Sequence, residues 1–255
     1  MPSWPASADG VEAQPYRFYR DALRALQKAA VPFLVGGAYA LAYHIGILRR
    51  TKDLDLFTRP EDCERALEVL SATGCRTELT DPHWLAKAYA GEDFIDVIFS
   101  SGNAIAQVDD VWFEHAITAN VLGMTVPLCP PEETIWSKAF VMERERYDGA
   151  DIAHLLRACG ERLDWDRLLE RFGAHWRLLL SHLILFTFIY PSEPGRIPRS
   201  VMQTLIDRLQ SESHAPSCTE RLCQGTLLSK VQYAIDIERW DYQDARLLLS
   251  KGRGQ

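Results

Sequence analysis

Apolar residues return at helical spacing between Tyr16 and Ala30. Phe18, Leu23, Leu26 and Ala30 are separated there by Arg17, Arg20, Asp21 and Lys28, which predicts an amphipathic helix. A short apolar run, PFLV, then stops at Gly36-Gly37, and the following AYALAYHIGIL again has helical spacing. Strand, glycine turn and helix is the expected order. From Thr51 to Phe57, TKDLDLF alternates polar and apolar positions, the period of a strand with one buried face. Pro60 and Gly74 bracket a helix whose Ala66, Leu67 and Leu70 face inward. Strands near Arg76 to Leu79, Asp93 to Phe99 and Met124 to Leu128, with a helical segment around Ala106 to Ala116, complete an α/β half.

At Cys129-Pro130-Pro131 the texture changes, and from Glu132 onward the segments have helical periodicity. The expected organisation is therefore an α/β (α+β) domain with a lead-in helix over residues 1–128, followed by an α-helical C-terminal domain over 129–255. Helices are expected near 132–146, 149–158, 165–172, 176–190, 199–210 and 227–240. The most apolar stretch, LLLSHLILFTFIY from Leu178 to Tyr190, is short for a bilayer of roughly 30 Å and is expected to be a buried core helix.

Composition narrows the classes. With 47% hydrophobic and 25% charged residues among 255, the chain reads as an ordinary folded protein. A net charge of -7 argues against a protein that coats nucleic acid through a general positive field. Six scattered cysteines lack CxxC spacing and no secretory leader is read before them, so reduced thiols, a cytoplasmic location and no membrane partner are expected.

The candidate chemistry lies in the α/β half. On a strand, Asp53 and Asp55 project from one face roughly 7 Å apart, with Leu54 and Leu56 on the other. Paired carboxylates repel each other unless a cation joins them, and a hard ion such as Mg²⁺ (or Mn²⁺) is the natural partner. Asp96 stands in an otherwise apolar strand and supplies a third acid. Three converging carboxylates suit a metal pair about 3.5–4 Å apart, the machinery of in-line transfer to phosphorus. Gly36 and Gly37, followed by a helix, stand where a backbone cradle for phosphate belongs.

The stretch FLVGGAYALAYHIGILRRTKDLDLF resembles motif I of the polymerase-beta nucleotidyltransferase superfamily, a Gly-Gly or Gly-Ser turn before a strand bearing Asp-x-Asp. Its wording is most similar to the AbiEii-type toxin nucleotidyltransferases and related bacterial proteins, which carry Arg-x-(Ser/Thr)-x-Asp-(Ile/Leu)-Asp; Arg50 or Arg49, with Thr51, occupies that region here. The resemblance implies a mixed-sheet core in which Gly36, Gly37, Arg50 and Thr51 bind nucleotide, and Asp53, Asp55 and Asp96 bind metal and act in catalysis. PPEETIWSKAFVMERERYDGADIAHLL resembles the helical segment after that core and implies Lys138 as a nucleotide contact, with Asp148 and Asp151 as additional acids. The toxin relatives place a lysine shortly before the third acid, where this chain has Glu92, Asp93, Phe94 and Ile95.

The implied activity moves a nucleoside monophosphate from a triphosphate to an acceptor hydroxyl on RNA, tRNA or protein and releases pyrophosphate. A toxin-like role with a cognate antitoxin goes with it. The alternatives are an antibiotic-type small-molecule nucleotidyltransferase and a non-catalytic nucleotide-binding regulatory module. Plainer readings stand beside these roles: a salt bridge for Asp96, a solvated helix position for Lys138, and helix capping for Asp148 and Asp151. Arg157, Arg162, Arg167, Arg171 and Arg177 fit either a basic face for RNA or an ordinary charged surface, and His44 and His182 read as structural.

Overall fold

The computed structural model describes residues 14–47, 51–213 and 221–251. The chain divides into two units, Met1–Pro130 and Pro131–Gln255.

In the first unit, α1 (Gln14–Lys28) turns Tyr19, Ala22, Leu23 and Leu26 inward. The chain continues through β1 (Leu34–Val35), α2 (Gly37–Ile45), β2 (Asp53–Phe57), α3 (Pro60–Ala72), β3 (Arg76–Asp81), β4 (Leu85–Ala90), β5 (Asp93–Ile98), α4 (Asp110–Glu114), β6 (Ile117–Val121) and β7 (Met124–Leu128). Pro60 sits in the first turn of α3, where its missing N–H is no loss, and Glu61 and Asp62 complement the positive end of the helix dipole. Among the described residues the seven strands form one sheet, ordered β3-β4-β5-β2-β1-β7-β6. The pairs β2–β5 and β1–β7 are parallel and the rest antiparallel, so the sheet is mixed.

The period-two pattern decides which face of the sheet is buried. Leu54 and Leu56 of β2, Ile95 and Val97 of β5, and Ala86 and Ala88 of β4 share one core with Tyr19, Leu23 and Leu26 of α1 and Cys63, Ala66 and Leu70 of α3. Each such leucine stabilises the fold by about 1.5–3 kcal/mol relative to exposure. The intervening residues Asp53, Asp55, Asp96 and Lys87 are thereby committed to the other face.

Two strands escape the sequence pattern. β4, LAKAYA, is built largely of alanine, a poor strand former, and holds its place through pairing on both sides. β6 is joined to β7 by a two-residue turn, Leu122-Gly123, with both residues at positive φ (52° and 75°). That is a type I′ hairpin without the usual Asn-Gly or Asp-Gly signature. The helix expected over 106–116 contracts accordingly to α4.

The second unit contains α5 (Pro131–Ala139), α6 (Gly149–Cys159), α7 (Trp165–Phe172), α8 (Trp176–Ile189) and α9 (Arg199–Ser213). It ends with β8 (Leu222–Cys223), α10 (Ala234–Glu238), β9 (Gln243–Asp244) and α11 (Arg246–Lys251), in which β8 and β9 pair in parallel. The helix expected over 132–146 stops at Ala139. A bridge between Met142 and Tyr147 and a Glu143 N–H···O=C Arg146 bond of 2.8 Å turn the charged ERER stretch into a closed loop instead. The helix expected over 227–240 shrinks to α10: ahead of it Leu228 N–H bonds the Gly225 carbonyl at 2.8 Å and Gln232 N–H the Ser229 hydroxyl at 3.1 Å, and beyond it Tyr242 N–H bonds back to the Asp236 carbonyl, with Asp241 at φ 56°.

Helical turns run from Trp165 to Ile189, 25 residues that by length and composition could cross a membrane. Within that run α8 buries Trp176, Leu179, Leu183 and Phe186 but leaves Phe188 82% exposed, so the expected core helix buries one face. Arg167 and Arg171 do not form a basic face. Arg167 lies 2.6 Å from Glu132 and 3.4 Å from Glu133, and Arg171 lies 3.2 Å from Glu133, all as interior pairs. Burial raises the Glu133 carboxyl above its ordinary range in spite of both guanidinium groups. The histidines are structural, His44 Nε2 lying 2.9 Å from the Cys129 carbonyl and His182 Nε2 3.1 Å from that of Ala139. Cys63, Cys75, Cys129, Cys159 and Cys223 are buried free thiols, and Cys218 lies outside the described residues.

Candidate functional site

The parallel pairing of β2 with β5 puts Asp55 directly beside Asp96, and Asp53 beside Phe94. Adjacent strands lie roughly 4.8 Å apart, so this register brings side chains from residues some forty positions distant into contact range. Asp53, Asp55 and Asp96 each offer a carboxylate oxygen within 4.8 Å of the other two, and all three are half-buried. They are the one such group of potential metal-binding side chains among the described residues.

Each acid is held by a different neighbour. Thr51 donates its hydroxyl to Asp53 Oδ1, two residues along the chain, where it sits on the same side of the strand. Asp55 lies against Gly37, the first residue of α2. A Cβ on Gly37 would fall 1.6 Å from Asp55 Oδ2, and Gly37 has φ +52°, so only glycine permits the approach. Gly36 is constrained by packing instead, since a Cβ there would lie 2.3 Å from the Phe57 ring, itself stacked on Trp112 at 5.3 Å. The Gly36 N–H donates to the Asp55 carbonyl at 2.9 Å and extends the sheet. The N–H groups that α2 directs outward therefore begin at Gly37, and α2 has no side-chain cap.

Asp96 is paired with a lysine that the sequence reading missed. Lys87 of β4 stands opposite Asp96 in the antiparallel β4–β5 register, with Nζ 2.7 Å from Oδ1 and 4.2 Å from the Phe94 ring centre. The signal was local and weak, a lysine between alanines in a segment without β-branched residues. A second missed residue is Tyr19 of α1. Its hydroxyl donates to the Lys52 carbonyl at 3.0 Å and fixes the chain just before β2. Burial raises the Tyr19 phenol, and Asp93, Asp53 and Asp55 raise it further, so it stays a neutral donor.

Arg49 and Arg50 lie outside the described residues. Lys138, Asp148 and Asp151 belong to the second unit and come together there. Lys138 Nζ lies 2.7 Å from Asp148 and 2.9 Å from Asp151, and Arg146 adds a 3.0 Å contact to Asp148. Burial opposes ionisation of Asp148, but Arg146 and Lys138 outweigh it and hold its carboxyl below the ordinary range. Asp148 precedes α6 without a side-chain capping bond, so ion pairing with Lys138 and Arg146, rather than capping, accounts for its position.

The donor set fits a divalent cation. Three hard oxygen donors converge on one point, and their mutual repulsion is relieved by positive charge. A helix N-terminus lies beside them, a favourable place for phosphate.

Comparison with known proteins gives one family match, described as uncharacterised nucleotidyltransferase, over residues 16–187, more than half of the chain. No curated protein matches. Among solved structures, the antibiotic-resistance factor ANT(2'')-Ia is similar at 17% identity and TM-score 0.48, over 66% of this chain and 95% of that one. The lincomycin-bound lincosamide antibiotic adenylyltransferase LnuA is similar at 14% identity and TM-score 0.40, over 56% and 96%. An antigenic nucleotidyltransferase-like protein from Paracoccidioides brasiliensis gives 15% identity and TM-score 0.46, over 75% and 98%.

Proposed function

The chain belongs to the family of uncharacterised nucleotidyltransferases, and from that premise we propose that Asp53, Asp55 and Asp96 hold divalent metal, Mg²⁺ or Mn²⁺, and with it a nucleoside triphosphate. The observation that carries this reading is the convergence of the three carboxylates within 4.8 Å beside the N-terminus of α2. In the proposed reaction an acceptor hydroxyl attacks the α-phosphorus, the α–β phosphoanhydride bond breaks, and pyrophosphate leaves. Bound metal would supply the positive charge that offsets the triphosphate and polarises the phosphorus under attack.

The chain's own residues do the rest. Gly37 lets the first turn of α2 approach the phosphates closely, and its N–H donates to them. Thr51 fixes the Asp53 carboxylate, and Gly37 leaves room for that of Asp55. Asp96 accepts the proton of the acceptor hydroxyl.

The test uses each α-labelled nucleoside triphosphate with Mg²⁺ or Mn²⁺ and separate RNA, protein and metabolite fractions as acceptors. Label should appear in one fraction with the wild-type chain and fall by at least ~10²-fold with Asp53→Asn or Asp55→Asn. Label in RNA or protein supports the toxin-like reading, and label in small cationic metabolites the antibiotic-type one. Equal metal-dependent nucleotide binding by wild type, Asp53→Asn and Asp55→Asn would refute the site.

A further inference from the structure

The sheet continues past the three acids through β5, β4 and β3. By register, Asp53 is followed across the strands by Phe94, Tyr89 and Arg76, and Asp55 by Asp96, Lys87 and Glu78. The alternate positions Ile95, Val97, Ala86 and Ala88 are buried in the core, so both rows point away from it. The Tyr89 and Phe94 rings lie 6.2 Å apart and half-buried, and each carries a cation. Arg76 Cζ is 4.1 Å from the Tyr89 ring centre and Lys87 Nζ 4.2 Å from that of Phe94. The two cations are not held alike. Lys87 is 20% exposed and paired with Asp96, whereas Arg76, on the edge strand, is 65% exposed and paired at 2.8 Å with Glu78, itself 44% exposed. Such an exposed pair is weak, so a ligand's ammonium can displace Arg76 and take over both the Tyr89 ring and the Glu78 carboxylate.

The direction of the reaction selects this face. Gly37 opens α2 toward Asp55, which places the triphosphate on the β1 side of the acids. Displacement at phosphorus is in line, the entering oxygen opposite the departing pyrophosphate, so the acceptor enters from the Asp96 side, over β5, β4 and β3. The charge of bound metal is offset by that of the triphosphate, and both cations of the face are already held by carboxylates. A polyanion finds little to bind there, whereas a cation is attracted. We propose that the outer face of β3, β4 and β5 is the acceptor subsite, and that it takes a small hydroxylated ring carrying an ammonium group, with Tyr89 against the ligand and Glu78 accepting from its ammonium. This inference rests on the reading of the three acids as a metal and nucleotide site and adds the class of acceptor to it. The acceptor oxygen bonds to the α-phosphorus as the α–β phosphoanhydride bond breaks, its proton passes to Asp96, and pyrophosphate leaves. The ammonium takes no part in the chemistry and orients the molecule.

The full chain is titrated by calorimetry, with Mn²⁺ present, against three probes: neamine, a small amine-bearing sugar derivative; sucrose, an uncharged one; and a short oligoribonucleotide. The variants are Glu78→Gln, Arg76→Gln, Tyr89→Leu and Tyr89→Phe, each checked by circular dichroism. Neamine should bind the wild-type chain at least about tenfold more tightly than sucrose does. Glu78→Gln and Tyr89→Leu should each weaken neamine by at least about fivefold, and Tyr89→Phe should retain it. Arg76→Gln should bind neamine as tightly as wild type or more tightly; were the Arg76–Glu78 pair merely structural, Arg76→Gln and Glu78→Gln would act alike. Glu78→Gln lies on an exposed edge and carries the test where Tyr89→Leu does not fold. Equal binding of neamine and sucrose, or neamine binding indifferent to Glu78→Gln, would overturn the proposal. So would an oligoribonucleotide that binds more tightly than neamine and is weakened by Arg76→Gln. Mn²⁺ binding is measured on the same samples and on Asp53→Asn. If it is present in wild type and lost in Asp53→Asn while neamine fails, the acceptor inference falls alone; if wild type binds no Mn²⁺, the metal reading falls and this inference with it.

Discussion

Gly37→Ala is the smallest change that tests whether the glycine turn exists to admit the Asp55 carboxylate. The added Cβ would lie 1.6 Å from Asp55 Oδ2 and 2.6 Å from its Cγ. An unstrained C···O contact is roughly 3.3 Å, so one of the two groups must retreat by about 1.7 Å. Gly37 also has φ +52°, where a Cβ adds about 1–2 kcal/mol of backbone strain. A displacement of about 1 Å at a reacting centre lowers rates on the order of 10²-fold, equivalent to about 2.7 kcal/mol. The variant should therefore transfer label from an α-labelled nucleoside triphosphate at least ~10²-fold more slowly and bind Mn²⁺ more weakly by calorimetry, while its thermal midpoint falls only a few degrees. Wild-type metal affinity in Gly37→Ala would refute the reasoning, because it would mean that Asp55 does not depend on the space Gly37 leaves.

Other expectations follow from neighbouring contacts. Thr51→Val removes the hydroxyl that bonds Asp53 Oδ1 and should weaken Mn²⁺ binding several-fold, roughly 1 kcal/mol for a hydrogen bond, with little change in thermal midpoint. Lys138→Met leaves Asp148 and Asp151 without their shared ammonium. A loss of about 3–5 kcal/mol in denaturant unfolding is expected, and an unchanged midpoint would mean that the three do not form a buried ion cluster. Burial holds His182 and His175 below their ordinary range. Their folded values lie below the unfolded one of about 6.5, so the stability they contribute is complete above that pH and is lost as pH falls through the folded values. The thermal midpoint should drop between pH 7.5 and 5, and His182→Phe should flatten that slope. Asp148 acts in the same direction at lower pH: its depressed carboxyl contributes stability above about pH 4 that disappears on further acidification. Asp148→Asn should reduce that acid sensitivity in a scan extended below about pH 4.

What the sequence made legible is what is local. Alternation in DLDLF and DFIDVI assigns Asp53, Asp55 and Asp96 to unburied faces, because a leucine or valine at every second position must find the core. The Gly-Gly turn is readable for the same reason, since its position between an apolar run and a helix leaves few conformations open. The pairing partner of each strand is not local. Nothing in the sequence between β2 and β5 states that they pair in parallel, or that Asp55 meets Asp96 rather than Phe94, and those registers determine whether the acids converge. Arg167 and Arg171 make the same point in the second unit: spacing left them undecided between a surface and a basic face, and buried Glu132 and Glu133 on another helix decide the matter.

Lys87 marks where local reading fails. A strand of alanines has too little intrinsic preference to be recognised, yet alanine suits β4 because its inward positions, Ala86 and Ala88, are fully buried beneath α3. The lysine expected shortly before Asp96 would lie on the same strand, and the sequence has none there. Side chains opposite each other on adjacent strands are as close as those two apart on one strand, or closer. A cation supplied from β4 can therefore meet Asp96 without any trace in the motif that contains it. The electrostatics of the acid cluster thus depend on a strand whose own sequence offers almost no indication that it is one.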